Sequence, residues 1–388
     1  MTASLEQLLA TKEIVVFCGS GGVGKTSVAA AAGLAAATRI GGKVLVVTVD
    51  PAKRLADALG VEGIGNVEVR VPDAAFTKAG LEPRGELYAA MLDTKQSWDA
   101  LVLRHAPDEE TAYRILDNSL YENLTARFVQ SHDYVAMERL FEIHQAGTYD
   151  LIIVDTPPTR NALDFLDAPV RMAEFFGGRL LRWLTAPYRI GGRRGARMLT
   201  VASRPFYQVA DRLIGSQFLQ DIAEFFLNFQ SMYDGFVERS RAVEQLLHDK
   251  RTSFAVVTTL EDAPLREGER FCAELIKRQF HLGALVLNKT LPAELFGPAG
   301  ALVAQRFRRD GEAIAGTLGG VEDHAGAARV LATIGASFEN FAVVASREAE
   351  LRTELAHRPE VLVDIPTFAD EIADLRGLAR IADYLIPS

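Results

Sequence analysis

Cysteine is nearly absent. Cys18 and Cys272 are the only two in 388 residues, far apart and in no CxxC pair. That excludes a disulfide framework or a four-thiolate zinc site within one chain, and it fits a reducing compartment. Long apolar runs are also missing, and no uninterrupted stretch approaches the length of a membrane-spanning helix. The longest small-apolar stretch, Val28–Ala37, is alanine-rich and reads as a buried helix. Residues Met1–Glu13 carry acids and no long apolar stretch, so no signal peptide is expected there. A cytoplasmic protein, at most peripheral to a membrane, is the expectation. Positive charge is in deficit. At a net charge of −9 the molecule as a whole should not attract nucleic acid. What is present is ordinary globular material, 48% hydrophobic and 24% charged, enough for one large domain or two closely joined ones.

Short apolar runs alternate with helical segments. Ile14–Cys18, Val44–Val49, Leu87–Leu92, Leu151–Val154, Phe254–Thr258, Ala284–Leu287 and Val361–Ile365 read as strands, and Lys25–Thr38 reads as a helix. Continuous apolar strands separated by helices indicate a parallel sheet covered on both faces. The expected fold is therefore α/β, a doubly wound and mostly parallel sheet. The alternation stops between Pro169 and Lys250. Phe218, Ile222, Phe225, Phe229, Met232 and Phe236, then Val243 and Leu246, follow helical spacing. This predicts a core over 1–168, an inserted α-helical subdomain over 169–250, and the rest of the core over 251–388. The last part holds a further helical stretch, 298–354.

Gly19-Ser20-Gly21-Gly22-Val23-Gly24-Lys25-Thr26 satisfies GxxxxGK[ST], with a strand before it and an alanine-rich helix after it. Glycines let backbone N–H groups wrap a triphosphate at a helix N-terminus, so the loop through Ser27 is a candidate ATP site. Lys25 can reach the β- and γ-phosphates, and the Thr26 hydroxyl can bind Mg²⁺. Asp155 ends an apolar strand, where an acid that holds Mg²⁺ through water belongs. Asp50 ends another, at the side where strand C-termini converge. It can orient the attacking water, and it can equally serve as a helix N-cap before Pro51.

With these segments in place the chain resembles the ArsA-type P-loop ATPases, the family of the arsenite-pump and tail-anchored-protein targeting ATPases. Four blocks carry the likeness: the glycine-rich loop, Asp50-Pro51-Ala52-Lys53-Arg54-Leu55-Ala56-Asp57 as switch I, Asp155-Thr156-Pro157-Pro158-Thr159 with Leu163, Phe165 and Leu166 as switch II, and Leu285-Val286-Leu287-Asn288. Ile365-Pro366 with Glu371, Ile372 and Leu375 resembles the family's last strand and helix. The resemblance implies a dimer, homomeric or with a related subunit, that sandwiches two nucleotides. It gives Asp50 the water-polarising role, Asn288 an adenine contact, which turn preference alone would leave as a strand-end residue, and Pro366 a place in the nucleotide site. Three departures stand out. Ser20 occupies the place of the signature lysine, Arg160-Asn161 replace a Gly-His pair, and the cysteines for arsenite or a zinc clamp are missing. Serine offers no cation to developing phosphate charge. Lys53, Arg54 or Arg160 is the expected substitute.

Residues Arg171 to Arg204 hold eight arginines and one acid, Glu174. Phe176, Leu180, Trp183 and Leu184 there share one helical face. The segment reads either as a docking surface for a membrane or a client protein, or as a solvated face of a core helix. The Phe218–Leu246 seam reads mainly as core. An ATP-driven conformational switch that handles a protein or membrane partner is the leading expectation. A P-loop kinase or ligase for a metabolite, and a weakly hydrolysing regulatory module, are the alternatives.

Overall fold

A computed structural model describes residues 4–49, 54–61, 64–118, 121, 129–157, 167–168, 170–171, 174, 225, 228–229, 232–292, 295, 297–355 and 359–387. In chain order these form α1 (Leu5–Thr11), β1 (Ile14–Cys18), α2 (Lys25–Ala35), β2 (Lys43–Thr48), α3 (Arg54–Leu59), β3 (Val69–Arg70), α4 (Asp73–Ala79), β4 (Glu86–Met91), α5 (Thr94–His105) and α6 (Glu109–Leu116). Then come α7 (Val129–Gln145), β5 (Leu151–Asp155), α8 (Tyr233–His248), β6 (Thr252–Thr258), α9 (Asp262–Lys277) and β7 (Leu282–Thr290). The chain ends with α10 (Pro298–Arg309), α11 (Gly311–Ala315), α12 (His324–Thr353), β8 (Val361–Pro366) and α13 (Leu375–Leu385).

Among the described residues eight strands make one sheet in the order β3-β4-β2-β5-β1-β6-β7-β8. Every pairing is parallel except β3 with β4. The doubly wound, mostly parallel α/β expectation is met. β1 lies inside the sheet, and its five residues are all buried. Val15 and Phe17 enter a core with α2 and α13, while Ile14, Val16 and Cys18 enter another with α7, α8 and α9. That two-sided burial is why the strand reads as an unbroken apolar run.

Each expected strand is present. The helix expected over Lys25–Thr38 is α-helical only to Ala35, and a π-helical turn, Ala36–Ile40, follows it up to Gly41 at φ 102°. Within the span 169–250, α8 is described, and Phe225, Phe229, Met232, Phe236, Val243 and Leu246 are buried. The first four join Trp98 and Tyr134 in a third, aromatic core beneath α5 and α7. Phe218, Ile222 and the docking candidate Arg171–Arg204, apart from Arg171 and Glu174, lie outside the described residues. Between β7 and β8 the described residues include the helices α10, α11 and α12. α12 packs along α10 so closely that a Cβ on Gly335 would come 2.6 Å from the Ala304 carbonyl oxygen. The opposite side of α12 is bare, with Val330, Ile334, Phe341 and Val344 on one exposed face. By length and composition α12 could also cross a membrane, although its flank is packed on α10.

Candidate functional site

The loop between β1 and α2 sits where the middle of the sheet opens, at the C-terminal ends of β1, β5, β6 and β7. Two of its glycines are required by geometry. Gly19 has φ 153°, and a Cβ there would lie 2.1 Å from the Val257 carbonyl oxygen on β6. Gly24 has φ 88°, and a Cβ there would lie 2.4 Å from Asn288 Nδ2. Gly21 and Gly22 form the exposed crown, and Val23 is buried beneath it. Gly24 caps α2, whose first intrahelical bond runs from Val28 N to Gly24 O at 3.0 Å. The N–H groups of that first turn, which includes Thr26 and half-buried Ser27, give the helix end an affinity for anions.

Lys25 is buried at 6% exposure, and its ammonium donates to the Ser20 carbonyl at 2.8 Å. The cation is thereby folded into the loop it would serve. Thr26 Oγ1 donates to Asp155 Oδ2 at 2.7 Å. Asp155 is fully buried at the end of β5, between Phe17 of β1 and Thr48 of β2. Thr48 Oγ1 donates to the same carboxylate oxygen at 2.9 Å. A hydroxyl on the helix N-terminus and a carboxylate on the neighbouring strand, in contact, form the oxygen donor set that suits Mg²⁺. The pairing of Thr26 with Asp155 and the glycine cradle both fit Mg²⁺ and a nucleotide triphosphate.

Asn288 ends the regular part of β7 and is 6% exposed. Its Nδ2 donates to the Val23 carbonyl at 2.7 Å, so the amide already grips the phosphate loop and leaves Oδ1 as the acceptor. Pro366 pairs with Thr290 at the end of β8. It lines a cleft of about 1040 Å³ together with Phe368, Glu348, Arg352, Asp364 and Arg380. Arg380 lies 4.5 Å over the Phe368 ring, and Glu348 accepts from Leu291 N at 2.9 Å.

Gly19, Gly21, Gly22, Val23, Gly24, Lys25, Thr26, Ser27, Asp155, Asn288 and Pro366 thus gather at one end of the sheet. Asp50 lies outside the described residues, as do Lys53 and Arg160, and the side chain of Arg54 is likewise undescribed. Ser20, in the signature-lysine position, has a buried Oγ with no hydrogen-bond partner among the described residues. Cys18, immediately before the loop, is buried, and desolvation pushes its thiol far above the ordinary range. Burial raises the Cys272 thiol to about 12. Neither is a ready thiolate.

Sequence reasoning passed over Thr48 and Lys289. Thr48 closes β2 at the end where strand C-termini converge, and that place could have marked it. Lys289 Nζ donates to the Gly22 carbonyl at 3.0 Å, and its strand position gave no sign of this.

Comparison with known proteins places this geometry among relatives. Residues 12–306 match the anion-transporting ATPase family, ArsA ATPase. The chain is 24% identical over 294 residues to putative arsenical pump-driving ATPase 1 of Aquifex aeolicus, covering 73% of this chain and 64% of that protein. It is 22% identical over 314 residues to an ATPase ASNA1 homolog of Entamoeba dispar, covering 74% and 80%. Against ATPase get3 of Aspergillus terreus it is 22% identical over 299 residues, covering 75% and 77%. The chain therefore spans just under two thirds of the Aquifex protein and about four fifths of the Entamoeba one.

Proposed function

This chain belongs to the anion-transporting ATPase family, a family of ATP hydrolases, and on that premise we propose that it hydrolyses Mg-ATP to drive a conformational switch acting on a protein or membrane partner. The observation that carries the reading is the convergence of Thr26 and Thr48 on buried Asp155 beside the glycine cradle. The loop amides bind the phosphates, and Lys25, released from Ser20 O, takes up the β- and γ-phosphate charge. Thr26 and Asp155, the latter through water, would hold Mg²⁺, which would supply positive charge against the triphosphate. Asp50 orients the attacking water, and Asn288 Oδ1 accepts from the adenine amino group. Catalysis is by positioning and charge stabilisation, with no covalent intermediate.

Ser20 brings no cation, so turnover by one chain alone is slow, and a second subunit, identical or related, completes the site. The exposed apolar face of α12 supports a partner that covers it. Some relatives are named for driving an arsenical pump. Two buried cysteines cannot supply a thiolate trio, so arsenite is not expected to stimulate this chain.

The test is magnesium-dependent phosphate release with nucleotide binding measured alongside. Lys25→Ala should abolish binding, and Asp155→Asn should lose the magnesium dependence. Asp50→Asn should keep binding and lose turnover. Wild-type protein that binds Mg-ATP tightly yet releases no phosphate, even beside a partner subunit, would select a regulatory module instead. Transfer of the labelled γ-phosphate to a metabolite would select a kinase.

A further inference from the structure

Strand β7 breaks its own alternation where it meets the phosphate loop. Successive strand residues point to opposite faces. Yet Asn288 Nδ2 donates to Val23 O at 2.7 Å, and Nζ of the next residue, Lys289, donates to Gly22 O at 3.0 Å. The backbone makes this reach possible. Lys289 has φ 58°, in the left-handed region, and the β7–β8 register slips between Asn288 and Thr290. Such a bulge re-aims a side chain beside a site. A lysine is strained in that conformation and keeps it only where its surroundings insist. Here Thr367 Oγ1 donates to Lys289 O at 2.9 Å, and Thr367 N donates to Thr290 O at 2.9 Å.

The consequence lies in the two peptide units being held. In a trans peptide the carbonyl and the following N–H point in opposite directions. Gripping the Gly22 carbonyl therefore turns the Val23 N–H away from β7, and gripping the Val23 carbonyl does the same to the Gly24 N–H. Both amides belong to the anion-binding run of the loop. We propose that Lys289 is a nucleotide-positioning residue, latching the crown of the loop so that the Val23 and Gly24 amides are aimed before the nucleotide arrives. The proposal rests on the ATP-binding reading above. Preset donors lose no ordering entropy on binding, so the latch acts on retention of nucleotide rather than on the chemical step.

Lys289→Gly tests the latch, because glycine keeps the left-handed backbone without strain and removes the whole side chain that carries the ammonium. Release of a fluorescent ADP analogue from its magnesium complex, measured by stopped flow, should be about tenfold faster in Lys289→Gly. The loss should fall on KM more than on kcat, and melting without nucleotide should be unchanged or slightly higher. Lys289→Arg, which restores a cation, should bring release back towards wild type. Wild-type release from Lys289→Gly, or equally fast release from Lys289→Arg, would overturn the latch while leaving the ATPase reading intact. Failure of the wild-type chain to retain any Mg-nucleotide would overturn both.

Discussion

Asp155 Oδ2 receives two hydroxyl donors, and the two are not equivalent. Thr26 belongs to the helix that binds phosphate, whereas Thr48 holds the carboxylate from a neighbouring strand. Thr48→Val should cost about 1–3 kcal/mol of stability, because a buried acceptor loses a donor, while magnesium-dependent binding falls less than in Thr26→Ala. Urea unfolding beside nucleotide titration separates the two effects. His105 gives a pH signature of its own. Burial foremost, with the Arg239 charge, lowers its pKa below 6.5, and its buried Nε2 has no hydrogen-bond partner among the described residues. The folded chain thus refuses a proton that the unfolded chain accepts. Stability from this residue is complete above the unfolded value of 6.5 and is lost as pH falls below it towards the folded value. His105→Asn should therefore shrink the drop in urea midpoint between about pH 7.5 and about pH 5.5. An undiminished drop would place the titration elsewhere.

At the scale of elements, legibility followed burial. β1, β5 and β6 are buried along their whole length, so an unbroken apolar run exposed them in the sequence. β3 has two residues at the sheet edge, Val69 and Arg70, too few to show any period. The loop of Gly19–Thr26 was legible because its chemistry demands particular residue types at particular spacing. Lys289 was not, because its role depends on a left-handed bulge that composition does not announce. The same holds for the α10–α12 pair, where Gly335 marks the closest approach. Gly335→Val should cost about 1–3 kcal/mol by forcing the helices apart, since the atom it would strike is backbone. Faster amide exchange confined to residues 298–353, with the sheet still protected, is the expected signature. Uniformly accelerated exchange would instead show that the pair and the sheet unfold as one unit.

For the whole molecule, nucleotide and fold stability are linked. A ligand held only by the folded chain adds about 2.7 kcal/mol at a hundredfold excess over its Kd. Mg-ATP should therefore raise the melting temperature by a few degrees, and Lys25→Ala should abolish the rise. A rise that survives in Lys25→Ala would mean the nucleotide binds elsewhere. The family match ends at residue 306, before α12 begins, so the long helix must be understood from its own surroundings. Glu348 and Arg352, near its C-terminal end, line the same cleft as Pro366. Gly335, about 25 Å back along the axis, is pinned to α10, and bare Val330 and Ile334 lie just beyond that pin. A straight helix held at an intermediate fulcrum behaves as a rocker arm. A tilt at Arg352 would reappear, reversed in sense and about threefold smaller, at water-facing Val330, about 7.5 Å on the other side of the pin.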